Sequence, residues 1–399
     1  MDSAQGAITY PRGFLATGVR AGIKEQGEDM ALIVSESPAT AAGVFTTNVV
    51  KAAPVLVSKS RVPRDTARAV IVNSGNANAC TGEQGMRDAL EMAAVTAEAL
   101  KIAEDDVLVA STGIIGRPMP MDRIRQGIHR AVNVLSHDGG ATAAYAIMTT
   151  DTKPKEAQVE VLIDGVPVRI GGMAKGAGMI CPNVATMLAF ITSDAAISPS
   201  ALQECLAASA EVSFNCLTVD GDTSTNDSVI MLANGQAGNP KIESGTAAWD
   251  VFAQALGFVT ISLAKQIAAD GEGATKSIEI VVKGTDTFSN ARRIAMTIAN
   301  SPLVKTAMFG SDPNWGRILA AAGRAGVDFD PKAVDLFFED QPLVRNGEPI
   351  DFDEQAMHEL LRGREVKVLL EVGSGPGQAT VWTCDFSYDY VRINAEYHT

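Results

Sequence analysis

With 399 residues, 46% of them apolar and 20% charged, the chain is large enough to bury a substantial core and has the composition of a globular protein. Its formal net charge of −14 argues against nucleic acids and anionic membranes as partners, because both attract basic surfaces. Five cysteines without C-x-x-C spacing and four scattered histidines argue against disulfides and a zinc site. We find neither an 18-residue apolar run nor a targeting leader, so we expect a cytoplasmic protein. Because the histidines are scattered, we also expect no bound metal.

The first part of the chain alternates short β-type runs with turn residues. Apolar runs bounded by Pro, Gly and Lys predict four strands, at 31–35, 43–47, 54–58 and 69–73. Apolar residues on one face then predict a helix over 86–100, for which Thr81 and Gln84 have the spacing of a capping box. The run 106–110 predicts a buried strand that leads into the turn STGIIG at 111–116.

The STGIIG turn has two interpretations. In the ordinary one it is a glycine turn between a strand and a loop. In the other it supplies hydrogen-bond donors to a developing oxyanion, because glycine lets the backbone approach a substrate and a hydroxyl adds a second donor.

The middle of the chain contains a predicted helix around 121–134 and a hairpin. Alternating apolar residues on both sides of the Asp164-Gly165 turn predict strands at 159–163 and 166–170. Because Pro167 has no N–H to donate, we expect the second strand at a sheet edge.

The hairpin leads into KGAGMICPNVATML, residues 175–188, where a small residue precedes a hydroxyl residue, Ala185-Thr186. A threonine after such a turn is most often the first residue of a buried strand. If the preceding peptide bond is cut, however, its free α-amine, with a pKa of roughly 7.7–8.0 in short peptides, can act as the base for its own hydroxyl. The cut requires Thr186 Oγ to attack the Ala185 carbonyl and water to hydrolyse the resulting ester.

Beyond this stretch, Ser198 and Pro199 begin a predicted helix, and the loop DGDTSTND (220–227) is interpreted as a hydrogen-bonding loop beside the site, since it lacks the glycine and glutamate of an EF-hand. An apolar face over 252–267 predicts a long helix.

From Ser277 the pattern indicates a smaller α/β unit. Its predicted strands are 278–282, 333–338 and 366–372, and its predicted helices lie near 289–300, 316–324 and 353–363.

Many motifs in one order resemble the ornithine acetyltransferase family, the glutamate N-acetyltransferases of arginine biosynthesis. They are FTTN (45–48), NSGNANACTG (73–82), STGIIG (111–116), MTTDT (148–152), KGAGMICPNVATML (175–188), DGDTSTND (220–227), DGEGATK (270–276), NSPLVKTA (300–307), DPNWGR (312–317) and RINAEYHT (392–399). The family usually reads KGSGMI-x-PNMATML. Here Ala177 replaces the serine, Cys181 fills the variable position and Val184 replaces the methionine.

The resemblance implies an α/β layered, self-processing sandwich of the N-terminal-nucleophile type. Residues 1–276 would form the catalytic sandwich, and 277–399 a smaller C-terminal α/β lobe that completes the substrate site. Cleavage between Ala185 and Thr186 would give chains 1–185 and 186–399. Two copies of each are expected to assemble as a heterotetramer.

The resemblance also assigns site residues. Thr186 would be the nucleophile, and Thr112 and Gly113 would form the oxyanion hole, so we expect substitution of Gly113 to harm turnover more than folding. The implied substrate-binding residues are Thr149, Lys175, Thr186, Glu272, Asn394 and Thr399. A fixed ammonium at Lys175 suits a carboxylate, and the Glu272 carboxylate suits the free ammonium of ornithine.

The implied reaction is ping-pong transfer of an acetyl group from N-acetyl-ornithine to glutamate, through acetyl-Thr186 and without a prosthetic group. Acetyl-CoA as a second donor stays open. One alternative is a self-cleaving aminopeptidase or amidase of the same fold, against which the DGEG and RINAEYHT motifs argue. Another is a catalytically dead binding protein, which the joint presence of the five residues Thr112, Gly113, Lys175, Thr186 and Glu272 disfavours.

Overall fold

The computed structural model of the protein describes residues 5–181 and 187–396. The strands of these ranges are β1 (Phe14–Val19), β2 (Met30–Phe45), β3 (Arg64–Asn76), β4 (Val107–Ile114), β5 (Lys155–Ile163), β6 (Val166–Lys175), β7 (Leu188–Ser193), β8 (Ser228–Ala233), β9 (Ser277–Gly284), β10 (Asp335–Phe338), β11 (Gln341–Arg345), β12 (Glu348–Pro349), β13 (Glu365–Glu371) and β14 (Gly375–Cys384). The α-helices are α1 (Ala53–Ser60), α2 (Gly82–Leu100), α3 (Met121–Asn133), α4 (Gly140–Ala146), α5 (Pro199–Glu211), α6 (Ala247–Ala269), α7 (Phe288–Ala299), α8 (Pro302–Phe309), α9 (Trp315–Gly323), α10 (Glu354–Leu361) and α11 (Tyr388–Glu396).

The first sheet has the strand order β4-β3-β2-β8-β7-β6-β5, with β1 also paired to β2. The pairs β3–β4 and β7–β8 are parallel, and the other pairs are antiparallel. Every residue of β7 and β8 is buried, because both faces of the sheet are covered. Along β8, Val229 and Met231 join the apolar cluster that contains α5 and α6, whereas Ile230 and Leu232 join a second cluster on the opposite face.

The second sheet has the order β12-β11-β10-β13-β9-β14, and all of its strands follow Ser277. Helix α7 packs on β9 and β14, while α6 contacts β5 and β6 of the first sheet as well as β9 and β14 of the second. The predicted α/β layered architecture is thus confirmed. One apolar cluster runs from α6 into both sheets, and the division into two lobes stays a prediction.

Helix α6 corrects one expectation from the sequence. Within the described residues it alone is long and apolar enough to cross a membrane, judged by length and composition, although no such run was expected. Its Phe252, Leu256 and Leu263 side chains are buried against the sheets. Its apolar composition is therefore explained by its position between two sheets.

Local predictions in the first hundred residues were wrong at three points. The predicted strands 31–35 and 43–47 fall on the single strand β2, which ends at Phe45. Residues 54–58 form part of helix α1, because Pro54 stands at the helix start and Val55 and Val57 pack into the core. Helix α2 begins at Gly82 without the predicted capping box, since Thr81 Oγ1 donates to Asn78 and the Gln84 amide to Asp88.

The predicted hairpin is present, with Asp164 and Gly165 at φ 50° and 79°. Its second strand is nevertheless not an edge, because β6 pairs with both β5 and β7. Pro167 is tolerated because the pairing with β7 starts only at Ile170. At this end of the sheet the edge strand is β5.

Candidate active site

The carboxyl ends of the parallel strands β3 and β4 form one side of a cavity. Gly75 pairs with Gly113 there, and Gly113 has φ +132°, in the region that favours glycine. A Cβ atom at Gly113 would lie 2.3 Å from the carbonyl carbon of Gly75. A side chain would force the two strand ends apart, so a Gly113 substitution should harm folding as well as turnover. The expectation that turnover suffers more stays a prediction.

The cavity gathers every predicted site residue that lies in the described chain. Its lining includes Thr112, Gly113, Thr149, Lys175, Glu272 and Asn394. Three further predicted residues, Ala185, Thr186 and Thr399, lie outside the described residues. The chain positions of the six span 112 to 394, so the folded chain brings distant motifs to one place.

Lys175 is the last residue of β6, and its side chain is buried in the cavity wall. Its Nζ donates a hydrogen bond to Thr112 Oγ1 at 3.3 Å. Burial lowers the pKa of Lys175, and the nearby Asp151 carboxylate partly opposes that shift. A buried ammonium with a neutral hydroxyl as its described partner is suited to bind an anionic ligand.

A buried network lies beneath Lys175 and fixes the cavity floor. Asp151 accepts hydrogen bonds from the backbone N–H of Thr149 at 3.0 Å and of Gly176 at 2.6 Å. Lys155 Nζ lies between the carboxylates of Asp151 and Asp270, 2.5 Å from the latter. Burial, the largest single effect, would raise the pKa of Asp151. The charges of Lys155 and Lys175 and the hydrogen bonds from Lys155 and the Gly176 N–H together outweigh burial and lower that pKa to about 2.

Glu272 and Asn394 form another part of the cavity lining. The Glu272 backbone N–H donates to the Ala177 carbonyl at 2.8 Å, and Glu272 Oε2 accepts from Asn394 Nδ2 at 2.9 Å. A Cβ atom at Gly178 would lie 2.4 Å from Glu272 Oε2, so glycine at 178 leaves room for the carboxylate. Asn394 belongs to α11, which is joined to the loop after α6 by a hydrogen bond from Ser387 Oγ to the Gly273 carbonyl.

The DGDTSTND loop also lines the cavity, as the sequence interpretation expected, through residues 224–226. Asn226 Nδ2 donates to the carbonyls of Ala77 at 2.6 Å and Ser111 at 2.8 Å. This amide ties the loop to the strand ends that carry Thr112 and Gly113.

Two carboxylates of the same loop bind backbone N–H groups of the described chain before residue 182 and after residue 186, on both sides of the predicted cleavage position. Asp220 accepts from the backbone N–H of Met179 at 2.5 Å and Ile180 at 2.8 Å. Asp227 accepts from that of Met187 at 3.1 Å, and burial raises its pKa well above the usual range. Sequence reasoning missed these roles, although the carboxylates of the motif were the available signal.

Comparisons with known proteins agree with the motifs. Residues 15–399 match the model of the ArgJ family. The arginine biosynthesis bifunctional protein ArgJ of Symbiobacterium thermophilum is 55% identical over 402 residues that cover 100% of both chains. The protein of the same name from Dehalococcoides mccartyi is 52% identical and covers 99% of this chain and 98% of its own.

A solved structure of the arginine biosynthesis bifunctional protein ArgJ from Bacillus halodurans is 42% identical and superposes with a TM-score of 0.51. It covers 52% of this chain and 98% of its own. The family predicted from the motifs is therefore confirmed, and this chain belongs to the ArgJ family.

Proposed function

We propose that this protein transfers an acetyl group from N-acetyl-ornithine to glutamate in the cyclic route of arginine biosynthesis. The observation that carries the proposal is the single cavity that combines a hydroxyl beside a strained glycine, a buried ammonium and a carboxylate. These groups match the acyl carbonyl, the α-carboxylate and the δ-ammonium of N-acetyl-ornithine.

In the first half-reaction, Lys175 binds the α-carboxylate and Glu272, held by Asn394, binds the δ-ammonium. Thr149 and Thr399 add polar contacts to the substrate. Thr186 Oγ attacks the acetyl carbonyl while the Thr186 α-amine accepts the hydroxyl proton. Thr112 Oγ1 and the Gly113 N–H stabilise the oxyanion. The C–N bond then breaks, ornithine leaves with the proton on its amine, and the acetyl group stays as an ester on Thr186.

In the second half-reaction, the amine of glutamate attacks this ester. The same donors stabilise the second oxyanion, the ester C–O bond breaks and Thr186 Oγ regains its proton. N-acetylglutamate leaves. Because both half-reactions use one cavity, ornithine must depart before glutamate binds, which gives ping-pong kinetics.

The α-amine of Thr186 must first be freed by cleavage after Ala185, so the active protein would consist of chains 1–185 and 186–399, two of each. The solved Bacillus halodurans chain supports this, since it matches over 98% of its own length but only 52% of this chain. We place the protein in the cytoplasm, with small-molecule substrates and without nucleic-acid or membrane partners. The relatives are named bifunctional, and the second acetyl donor that we test is acetyl-CoA.

The test is an assay of the purified protein with N-acetyl-ornithine and glutamate. We expect ornithine and N-acetylglutamate in equal amounts, with parallel lines in double-reciprocal plots. Thr186→Ala should remain a single chain on denaturing electrophoresis and be inactive. Ornithine and acetate without N-acetylglutamate would contradict the proposal. A parallel reaction with acetyl-CoA and glutamate tests the second donor.

A further inference from the structure

A second ammonium, that of Lys24, lies beside the cavity. Its Nζ donates to the Met148 carbonyl at 3.1 Å, and Met148 directly precedes the cavity residue Thr149. Burial lowers the pKa of Lys24. The carboxylates of Asp29, Glu28 and Asp151 oppose that shift, in decreasing order, and the Lys175 charge adds to it. Within the part of the chain that the structure describes, no carboxylate lies within 4.0 Å of the Lys24 ammonium.

The backbone around Lys24 is held in place independently of any ligand. The Asp29 carboxylate accepts hydrogen bonds from four successive backbone N–H groups, those of residues 21–24. The Lys24 stem passes over Gly75, where a Cβ atom would lie 2.7 Å from Lys24 Cγ. Gly75 in turn contacts Gly113. The side chain therefore runs along the strand ends to Met148, the neighbour of the cavity-lining residue Thr149, while Lys24 itself is not among the lining residues.

The charges of the two substrates differ in a way that Lys24 can satisfy. N-acetyl-ornithine carries one carboxylate and one ammonium, which Lys175 and Glu272 complement. Glutamate carries two carboxylates, and its second one has no cationic counterpart in that pair. A carboxylate left without a partner in a largely buried site is costly, so the acceptor needs another cation.

Resting on the proposed function, we propose that Lys24 binds the side-chain carboxylate of the acceptor glutamate and so determines acceptor specificity. Lys175 would bind the α-carboxylate, which both substrates carry. Lys24 would then act in the second half-reaction alone, after ornithine has left.

The experiment compares Lys24→Met with wild type, using glutamate and glutamine as acceptors. A charge-assisted hydrogen bond contributes enough to change binding by roughly tenfold or more. We expect Lys24→Met to raise the KM for glutamate by about tenfold, while the KM for N-acetyl-ornithine changes less than about twofold. The ratio of kcat/KM for glutamate over glutamine should fall by a similar factor, and Lys24→Arg should restore most of it.

Lys153→Met is the matched control, because it removes one positive charge from an exposed position of the segment that follows Thr149. It should leave both KM values unchanged. Equal rises in the KM of both substrates, or an unchanged preference for glutamate over glutamine, would overturn the assignment. Ornithine release in a single turnover without acceptor reports the first half-reaction, so a failure of the proposed function would be seen separately.

Discussion

The two sides of the cavity are built differently. The oxyanion side, Thr112 and Gly113, is made by the ends of two paired strands, and its geometry depends on backbone atoms in close contact. The carboxylate side, Glu272 and Asn394, is made by two side chains from a loop and a helix that share one hydrogen bond of 2.9 Å.

This difference separates folding from chemistry. On the oxyanion side a side chain added at Gly113 also disturbs strand pairing, so activity and stability fall together at that position. On the carboxylate side a side chain can change while the loop stays attached through the Glu272 N–H and Ser387. Substitutions on the two sides should therefore give different ratios of stability loss to activity loss.

The largest expected effect is that of Gly113→Val. The new side chain would overlap the Gly75 backbone, so we expect a loss of more than about 4 kcal/mol in the free energy of unfolding, measured with denaturant. Gly116→Ala is the control, because Gly116 also has a positive φ, +78°, but no atom lies within 4 Å of its added Cβ. That variant should lose only about 1–2 kcal/mol. Equal losses would show that the backbone angle, not the close contact, is decisive.

Next in size is Lys155→Met, which removes the cation between Asp151 and Asp270. Breaking a buried ion pair by removing one partner typically costs about 3–5 kcal/mol. The native pKa of Asp151, about 2, lies below its usual 3.8, so the stability that this group contributes is present above pH 3.8 and is lost as pH falls through about 2. The stability difference between wild type and variant, measured by denaturant unfolding, should shrink over that interval. If the difference in free energy of unfolding between wild type and Lys155→Met did not change with pH, the charge-based explanation would be contradicted.

Thr112→Val should fold normally and lose activity on the oxyanion side. Removing one oxyanion donor typically lowers kcat by about 10²–10³-fold, and valine keeps the shape of the side chain. The denaturant midpoint should fall less than in Gly113→Val, because strand pairing is kept and only the 3.3 Å hydrogen bond from the buried Lys175 ammonium is lost. A variant with near-normal kcat would remove Thr112 from the oxyanion hole.

The sequence predicted best what depends on local pattern. The Asp164-Gly165 turn between alternating residues predicted the hairpin, and the apolar face over 252–267 predicted α6. The sequence predicted a strand at 54–58 because Val55 and Val57 favour strands. These residues instead belong to helix α1, whose packing against the core cannot be seen in the local pattern.

The six cavity residues in the described chain were found through motif resemblance, not through spacing. The network beneath them was missed although Asp151 and Lys155 are four positions apart, because its third charged member, Asp270, is distant in the chain. Lys155 and Asp270 are separated by 115 positions, and a lone lysine carries no signal of its partner. Lys24 was missed for the same reason, since its acceptor is the carbonyl of Met148.

The smallest effect on stability is expected on the carboxylate side. Glu272→Gln keeps an oxygen that can accept from Asn394 but removes the charge that would bind the δ-ammonium of N-acetyl-ornithine. Losing one charge-assisted contact corresponds to about 1.5–3 kcal/mol, so the KM for N-acetyl-ornithine should rise by roughly 10- to 100-fold. The free energy of unfolding should change by less than about 1 kcal/mol, because the loop remains held by the hydrogen bond from the Glu272 N–H to the Ala177 carbonyl. Asn394→Ala should give a smaller KM rise, since it removes a residue that orients the carboxylate and leaves the charge. If Glu272→Gln lowered stability as much as Gly113→Val, the two sides of the cavity would not differ in the way the contacts indicate.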